Sequence, residues 1–338
     1  MENRYVGNTM AAFVMQSLGC EVAALNTVIF NINHLGYGQA TGRRSTAEEI
    51  SELYRGLKES GLDDFDMMLS GYLPGAASVE AMGKMARDLK SQAAVKLGNF
   101  FWVLDPVMGD NGRLYVAEDV VPAYKNLIKD ADLILPNQFE AETLSGVKIT
   151  DMNSLKQAIV KLHSEYGIPH IIITSVVLPN NEAELPLLSV IGSTITSTKT
   201  ARIFKIPVPA IDCFFSGTGD MFAALMLVRL REAVCNTNGL IEKASWVSDD
   251  KVEATELPLA KAAEKALASM HEVLRKTKEE RDKELAKYLA RVGSAADLND
   301  VESQKKLRLA KSKAAEVRLI RNLDCLRHPK VIFKAEYA

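Results

Sequence analysis

Short apolar runs alternate with amphipathic stretches along the first two thirds of the chain. EVAALNTVIF precedes AEEISELYRGLKES, FDMMLSGY precedes VEAMGKMARDLK, and FFWVLDPVMG leads on to DLILPNQFEAETL, the helical SLKQAIVKLHSEY and the apolar HIIITSVV. Strand-length apolar runs separated by helix-period segments predict a βαβα order, and so an α/β fold with a mostly parallel sheet covered by helices on both faces. FFWVLDP, DLILPN and HIIITS each finish in polar residues, at the strand ends where open α/β sheets bind ligands. After FFSGTGD, the segment MFAALMLVRLREAV carries an apolar helical stripe and predicts a core helix. From about 248 to 318 the text turns to Lys, Glu and Ala, as in RKTKEERDKELAKYLARVG and ESQKKLRLAKSKAAEV, which predicts solvated helices or a partly mobile insertion.

Composition narrows the class. With 338 residues and 47% hydrophobic content the chain can bury a large core, and a single domain over 1–338 is favoured over two modest ones. A formal net charge of -2 supplies no global field toward nucleic acid or an anionic membrane, so neither is an expected partner. Cys20, Cys213, Cys235 and Cys325 are scattered without a CxxC pair, which suits buried thiols in a reducing compartment. No apolar run approaches the roughly 20 residues that span a bilayer, and MENRYVGNTM lacks a signal-peptide h-region. A cytoplasmic protein is expected, with the nucleus also open to it.

Gly217-Thr218-Gly219-Asp220 stands between a short apolar segment and a strongly helical one. Small residues let backbone N–H groups approach an anion, and the following helix points its positive end at the same place. From the tetrapeptide alone, Asp220 serves equally as a helix cap or as a catalytic base. Three further strand ends offer carboxylates, amides and hydroxyls: Asp105 and Asp110 in DPVMGD, Asn137 and Glu140 in PNQFEAE, and Thr174 with Ser175 in ITSVV. Oxygen donors of this kind suit Mg²⁺ with phosphate oxygens, whereas turn-making beside Pro106 and Pro136 explains Asp105 and Asn137 without any ligand. NGRLY, residues 111 to 115, is a candidate lid, in which Arg113 is either a bidentate phosphate donor or a solvated loop arginine.

Taken in order, YVGN, the GY at 36 and 37, LSGY at 69 to 72, DPVMGD, YVAEDVVPAYK, ADLILPNQFEAETLSG, IITS and GTGDMFAA resemble the pyridoxal kinase branch of the ribokinase-like superfamily. The likeness runs from about Tyr5 to Val234 and again through the last dozen residues. It implies a three-layer ribokinase-like sandwich that transfers the ATP γ-phosphoryl group to the 5′-hydroxyl of a vitamin B6 vitamer, as a homodimer with Mg²⁺ and a monovalent cation such as K⁺. By the same resemblance Asp220 deprotonates the hydroxyl while Gly217, Thr218 and Gly219 form the anion hole. Asn137, Glu140, Thr174, Ser175 and Thr218 would surround phosphates and metal, with Ile211, Asp212 and Cys213 on the adenosine side. Asp105, Asp110 and Glu140 would face the cations, and Val6, Leu35, Tyr72 and Asp220 the vitamer. A related hydroxymethylpyrimidine or sugar kinase, and an impaired homologue that binds nucleotide or a protein partner, are the rival readings.

Four features depart from the family pattern. The chain begins at MENRYVGN, where members carry a further apolar strand and a serine that contacts the pyridine ring. Leu35 replaces a substrate-contacting threonine, removing a hydrogen bond worth about 0.5 to 1.5 kcal/mol. Leu135 replaces a threonine near the monovalent cation. Residues 239 to 318 are longer and more charged than in the family.

Overall fold

A computed structural model of the chain describes residues 5–30, 37, 41–93, 100–177, 187–292 and 300–338. Leu35 lies outside them. The chain opens on helix α1 (Asn8–Ser17), after which strands β1 (Val28–Phe30) and β2 (Gly42–Arg44) pair antiparallel, apart from the main sheet. EVAALNTVIF therefore stays out of the central sheet. Just before β1, side chains hold two of its carbonyls: Asn8 Nδ2 donates to that of Leu25 at 2.7 Å and Ser45 Oγ to that of Asn26 at 2.8 Å.

Helix α2 (Ala47–Glu59) starts on a capping box in which Thr46 Oγ1 accepts the Glu49 amide and Glu49 accepts that of Thr46. Strand β3 (Met67–Ser70), α3 (Ala76–Ala93) and β4 (Phe101–Leu104) follow, then the hairpin strands β5 (Gly109–Asp110) and β6 (Arg113–Leu114). Next come α4 (Val120–Leu127), β7 (Leu133–Ile134), α5 (Gln138–Ser145), α6 (Met152–Tyr166) and β8 (His170–Val176). The long strands β9 (Leu187–Ile195) and β10 (Ala201–Pro209) precede α7 (Thr218–Cys235), α8 (Pro258–Val292), α9 (Val301–Ala314), α10 (Leu323–Arg327) and the terminal β11 (Glu336–Tyr337).

The main sheet has seven strands in the order β11-β10-β9-β8-β7-β4-β3. Pairs β3/β4, β4/β7 and β7/β8 are parallel, while β8/β9, β9/β10 and β10/β11 are antiparallel, so five of the seven strands share one direction. Strand alternation divides the core in two. Phe101, Val103 and Leu133 face α1, α7 and α8, whereas Trp102, Leu104 and Ile134 face α3, α4, α5 and α6. Each fully buried leucine or isoleucine in these layers contributes about 1.5–3 kcal/mol of transfer free energy. None of the helices among the described residues is long and apolar enough to cross a membrane.

The expected solvated insertion at 248–318 needs correction. Leu259, Ala260, Ala263, Ala266, Leu267, Val273 and Leu274 are buried against α7, so the first half of α8 is a core helix. Charge density concealed it because several of the apolar positions are alanine and the one buried acid of the helix, Glu264, is paired with Lys334 at 3.0 Å and with the Ala335 amide. Only the later part of α8, with α9, has the exposed charged character that composition suggests.

At the end of the sheet opposite the polar strand ends, His163 bridges the Ile168 carbonyl and Ser193 Oγ, while His170 bridges Thr194 Oγ1 and the Ser245 carbonyl. Burial lowers both imidazoles from 6.5 to about 4. Unfolded histidine binds a proton below about pH 6.5 and the folded residue only near 4, so stability rises with pH across that window. We expect acidification from about pH 7 to 5 to destabilise the protein by up to about 2 kcal/mol per histidine. Urea midpoints at the two pH values check this, and His163→Gln should flatten the dependence.

Candidate active site

Parallel strands bring the polar C-terminal ends of β4, β7 and β8 to one edge, and the loop before α7 arrives there from β10. Gly217 caps α7 in the left-handed conformation, at φ 78°. A side chain at that position would begin 2.5 Å from the Tyr5 carbonyl oxygen and 3.3 Å from the Val6 Cα, so only glycine lets the N-terminal segment lie against the loop. That segment reaches Asp220 directly. Gly7, itself at φ 56°, donates its amide to Asp220 Oδ2 at 2.8 Å.

Asp220 is thus not a cap in the ordinary sense. Gly217 holds the N-cap position without a side chain, and the Asp220 carboxylate sits at the third helical position, bonded by Gly7 and by its own amide. Burial pushes its pKa up, and those two N–H groups pull it partly back. Asp105, which follows β4, is tied by its amide to the Ser70 carbonyl at 2.8 Å. Its Oδ2 lies 3.8 Å from where a Gly219 side chain would begin, which joins the two acidic loops. Burial, then the charges of Glu140 and Asp220, raise the Asp105 carboxyl well above the usual range.

Glu140 is buried and its oxygens are heavily used: Oε1 accepts the Met108 amide at 2.9 Å and Oε2 that of Asn137 at 2.9 Å. Burial still pushes its pKa up to about 7 against those bonds. Asn137 completes a capping box for α5, with Oδ1 accepting the Glu140 amide, and its Nδ2 donates to the Gly109 carbonyl at 2.7 Å. These two residues therefore fasten the β5–β6 hairpin to the end of β7. Thr174 joins the same edge through its amide, 2.9 Å from the Pro136 carbonyl, and exposed Ser175 turns out of β8 at φ 54°.

Asp110 lies within electrostatic reach of Glu140, and its oxygens also accept from Asn111, one from the amide at 2.7 Å and one from Nδ2 at 2.9 Å. The tight Asn111-Gly112 turn causes this, with both residues at positive φ. Leu135 is buried in the core and has no side-chain oxygen to offer. Among the described residues no three acidic, histidine or cysteine side chains stand close enough to hold an ion by themselves. Asp105 and Glu140 nonetheless fit a hard cation shared with phosphate oxygens: both are oxygen donors, and burial next to like charge leaves their ionised forms in need of a counter-ion.

Around this floor, Tyr115 on the hairpin feels the charges of Glu140, Asp105, Asp110 and Asp220, in that order, and its phenol is raised by burial and by them. Tyr72 is half-buried beside the fully buried Tyr124, whose hydroxyl donates to the Gly71 carbonyl at 3.2 Å. Val6 is drawn in by the Gly217 contact. Ile211, Asp212 and Cys213 form a turn closed by the Cys213 amide on the Ile211 carbonyl at 2.7 Å, leading into the glycine loop. The residue that sequence reasoning passed over is Gly7: YVGN was recognised, but a lone glycine gives no sign that its amide reaches across 213 positions to Asp220.

A sequence profile described as phosphomethylpyrimidine kinase matches residues 76–245. Human pyridoxal kinase is 33% identical over 282 residues, covering 81% of each chain, and the Sus scrofa pyridoxal kinase is 35% identical over 283 residues, covering 81% of this chain and 79% of its own. Among solved structures, the Leishmania donovani pyridoxal kinase in complex with ADP and pyridoxamine superposes with a TM-score of 0.75 at 27% identity, over 99% of this chain and 95% of its own. Two relatives above 30% identity over four fifths of the chain and a shared fold place it: the chain belongs to the pyridoxal kinase family.

Proposed function

We propose that this chain transfers the γ-phosphoryl group of ATP to the 5′-hydroxyl of pyridoxal, pyridoxine or pyridoxamine. One observation supports the reading: the Asp220 carboxylate lies in the first turn of α7, at its positive end, beside a glycine loop with no side chain at Gly217 or Gly219 to block an anion. Asp220 accepts the hydroxyl proton as the oxygen attacks phosphorus in line. Amides of Gly217, Thr218 and Gly219, with the α7 dipole, stabilise charge on the transferring group. Asn137 and Glu140 hold the hairpin against β7, which places NGRLY to exclude water over the phosphates, and Thr174 and Ser175 supply hydroxyls along the nucleotide.

Mg²⁺ shared by Asp105, Glu140 and the phosphates would neutralise developing negative charge, and a monovalent cation beside it is part of the same proposal. Ile211, Asp212 and Cys213 take the adenosine side, and Val6 and Tyr72 the vitamer. Four unpaired thiols support a reducing compartment, hence a cytoplasmic enzyme with the nucleus also open to it. A homodimer is part of the same proposal.

The phosphomethylpyrimidine kinase profile favours hydroxymethylpyrimidine as the second substrate reading. A panel of the three vitamers, hydroxymethylpyrimidine and ribose at saturating ATP separates them. The highest kcat/KM is expected for a vitamer, and a preference for hydroxymethylpyrimidine would transfer the assignment to that substrate.

A further inference from the structure

Cys325 and Lys276 meet away from the active site, where α10 packs on α8. Lys276 Nζ stands 3.0 Å from Cys325 Sγ and 3.2 Å from Glu272 Oε1. The thiol is only 3% exposed, whereas the lysine side chain is 40% exposed, so the pair lies just beneath the surface. No cysteine among the described residues is in a disulfide, and Cys325 has an amine rather than a second thiol as its neighbour. An oxidised Cys325 sulfur is thus placed to be captured by nitrogen.

We propose that Lys276 and Cys325 form a reversible covalent N–O–S bridge in the presence of dioxygen. The step balances with dioxygen as the sole oxidant. One N–H bond of the neutral amine and the S–H bond of the thiol break, the O–O bond breaks, and N–O and O–S bonds form around one oxygen atom. The second oxygen leaves as water with the two hydrogens, dioxygen having taken four electrons from nitrogen and sulfur. The extra proton of the resting ammonium goes to solvent.

The observed separation favours insertion of an oxygen over a direct N–S bond. A bent oxygen bridge needs the nitrogen and sulfur only a few tenths of an ångström closer than they stand, whereas a direct bond would draw them together by more than an ångström. The local frame is held on three sides. Arg229 Nη2 donates to the Leu326 carbonyl at 2.5 Å, Ser269 Oγ to the same carbonyl at 3.3 Å, and Arg327 Nε to the Ser17 carbonyl of α1 at 2.9 Å. Bridging closes a loop from α8 to α10 and constrains the unfolded chain as a disulfide does.

Peptide mapping of the full-length protein after incubation under air, and under ¹⁸O-labelled dioxygen, tests this. The expected product links the Lys276 and Cys325 peptides with a net gain of one oxygen and loss of two hydrogens. It carries the label, disappears with dithiothreitol, and is accompanied by loss of most Cys325 alkylation after unfolding. Lys276→Arg, which keeps the positive charge, should leave Cys325 fully alkylatable in air, as should anaerobic handling of the unaltered protein. Recovery of Cys325 as a free thiol after aeration, as an unlinked sulfinic or sulfonic acid, or in a link without added oxygen would overturn the proposal.

Discussion

Asp220→Asn is expected to fold normally and to lower kcat by roughly 10² to 10⁴, the range that a positioned general base contributes. Asparagine keeps the shape of the side chain and can still accept the Gly7 amide through its carbonyl oxygen, so the contact between the N-terminal segment and α7 survives. What disappears is the capacity to take a proton. Melting temperature should stay within a degree or two of the parent while turnover collapses, and near-normal turnover would remove Asp220 from the chemistry. The pH profile adds a second readout. A base must be ionised to act, and burial raises the Asp220 pKa, so kcat should be full at high pH and fall as pH drops through that raised value. Glu140, with a pKa pushed up to about 7, and Asp105, raised well above its usual range by burial and then by the charges of Glu140 and Asp220, titrate in the same cluster, so the observed limb belongs to the group of carboxyls together.

Gly217→Ala should be the most damaging conservative substitution in the loop. The left-handed backbone at φ 78° costs an L-residue roughly 1–2 kcal/mol, and the added methyl would sit 2.5 Å from the Tyr5 carbonyl oxygen, a backbone atom with little freedom to retreat. Relief requires the N-terminal segment to lift from α7, which takes the Gly7 amide away from Asp220 and displaces Val6. A loss of about 10² to 10³ in kcat, comparable to deleting an anion-hole donor, is expected together with a lower melting temperature. Gly219→Ala supplies the contrast in stability. Its φ is not in the left-handed region and its methyl would lie in ordinary contact, 3.8 Å from Asp105 Oδ2, so its melting temperature should stay near that of the parent.

Much of this was legible in the chain itself because local signals agreed with the fold. Strand-length runs ending in DP, PN and TS placed Asp105, Asn137 and Thr174 at one edge, since parallel strands must put their C-terminal ends together. GTGD before a strong helix likewise located the anion loop. Pairwise contacts between distant segments were not legible. The Gly7–Asp220 bond depends on two glycines at positive φ in unconnected loops, and neither conformation leaves a periodic trace. EVAALNTVIF reads as a strand by composition, and its last three residues do form β1, but they pair with β2 in a separate two-stranded sheet, a partner choice that composition does not reveal. The core half of α8 was concealed by alanine and by Glu264, whose partners Lys334 and Ala335 lie some 70 residues away. The family resemblance sets Asn137 and Glu140 around the phosphates and metal. The structure adds that they cap α5 and hold Gly109 and Met108, so substituting either will disturb the hairpin as well as any ligand it touches.

The central claim is phosphoryl transfer to the vitamer hydroxyl, and product analysis with γ-labelled ATP, Mg²⁺ and pyridoxal tests it most directly. The account predicts label on the 5′-oxygen of pyridoxal, formed catalytically and lost in Asp220→Asn. Label retained in ATP at saturating pyridoxal, in protein shown to bind the nucleotide, would contradict it and leave a nucleotide-binding homologue without kinase turnover.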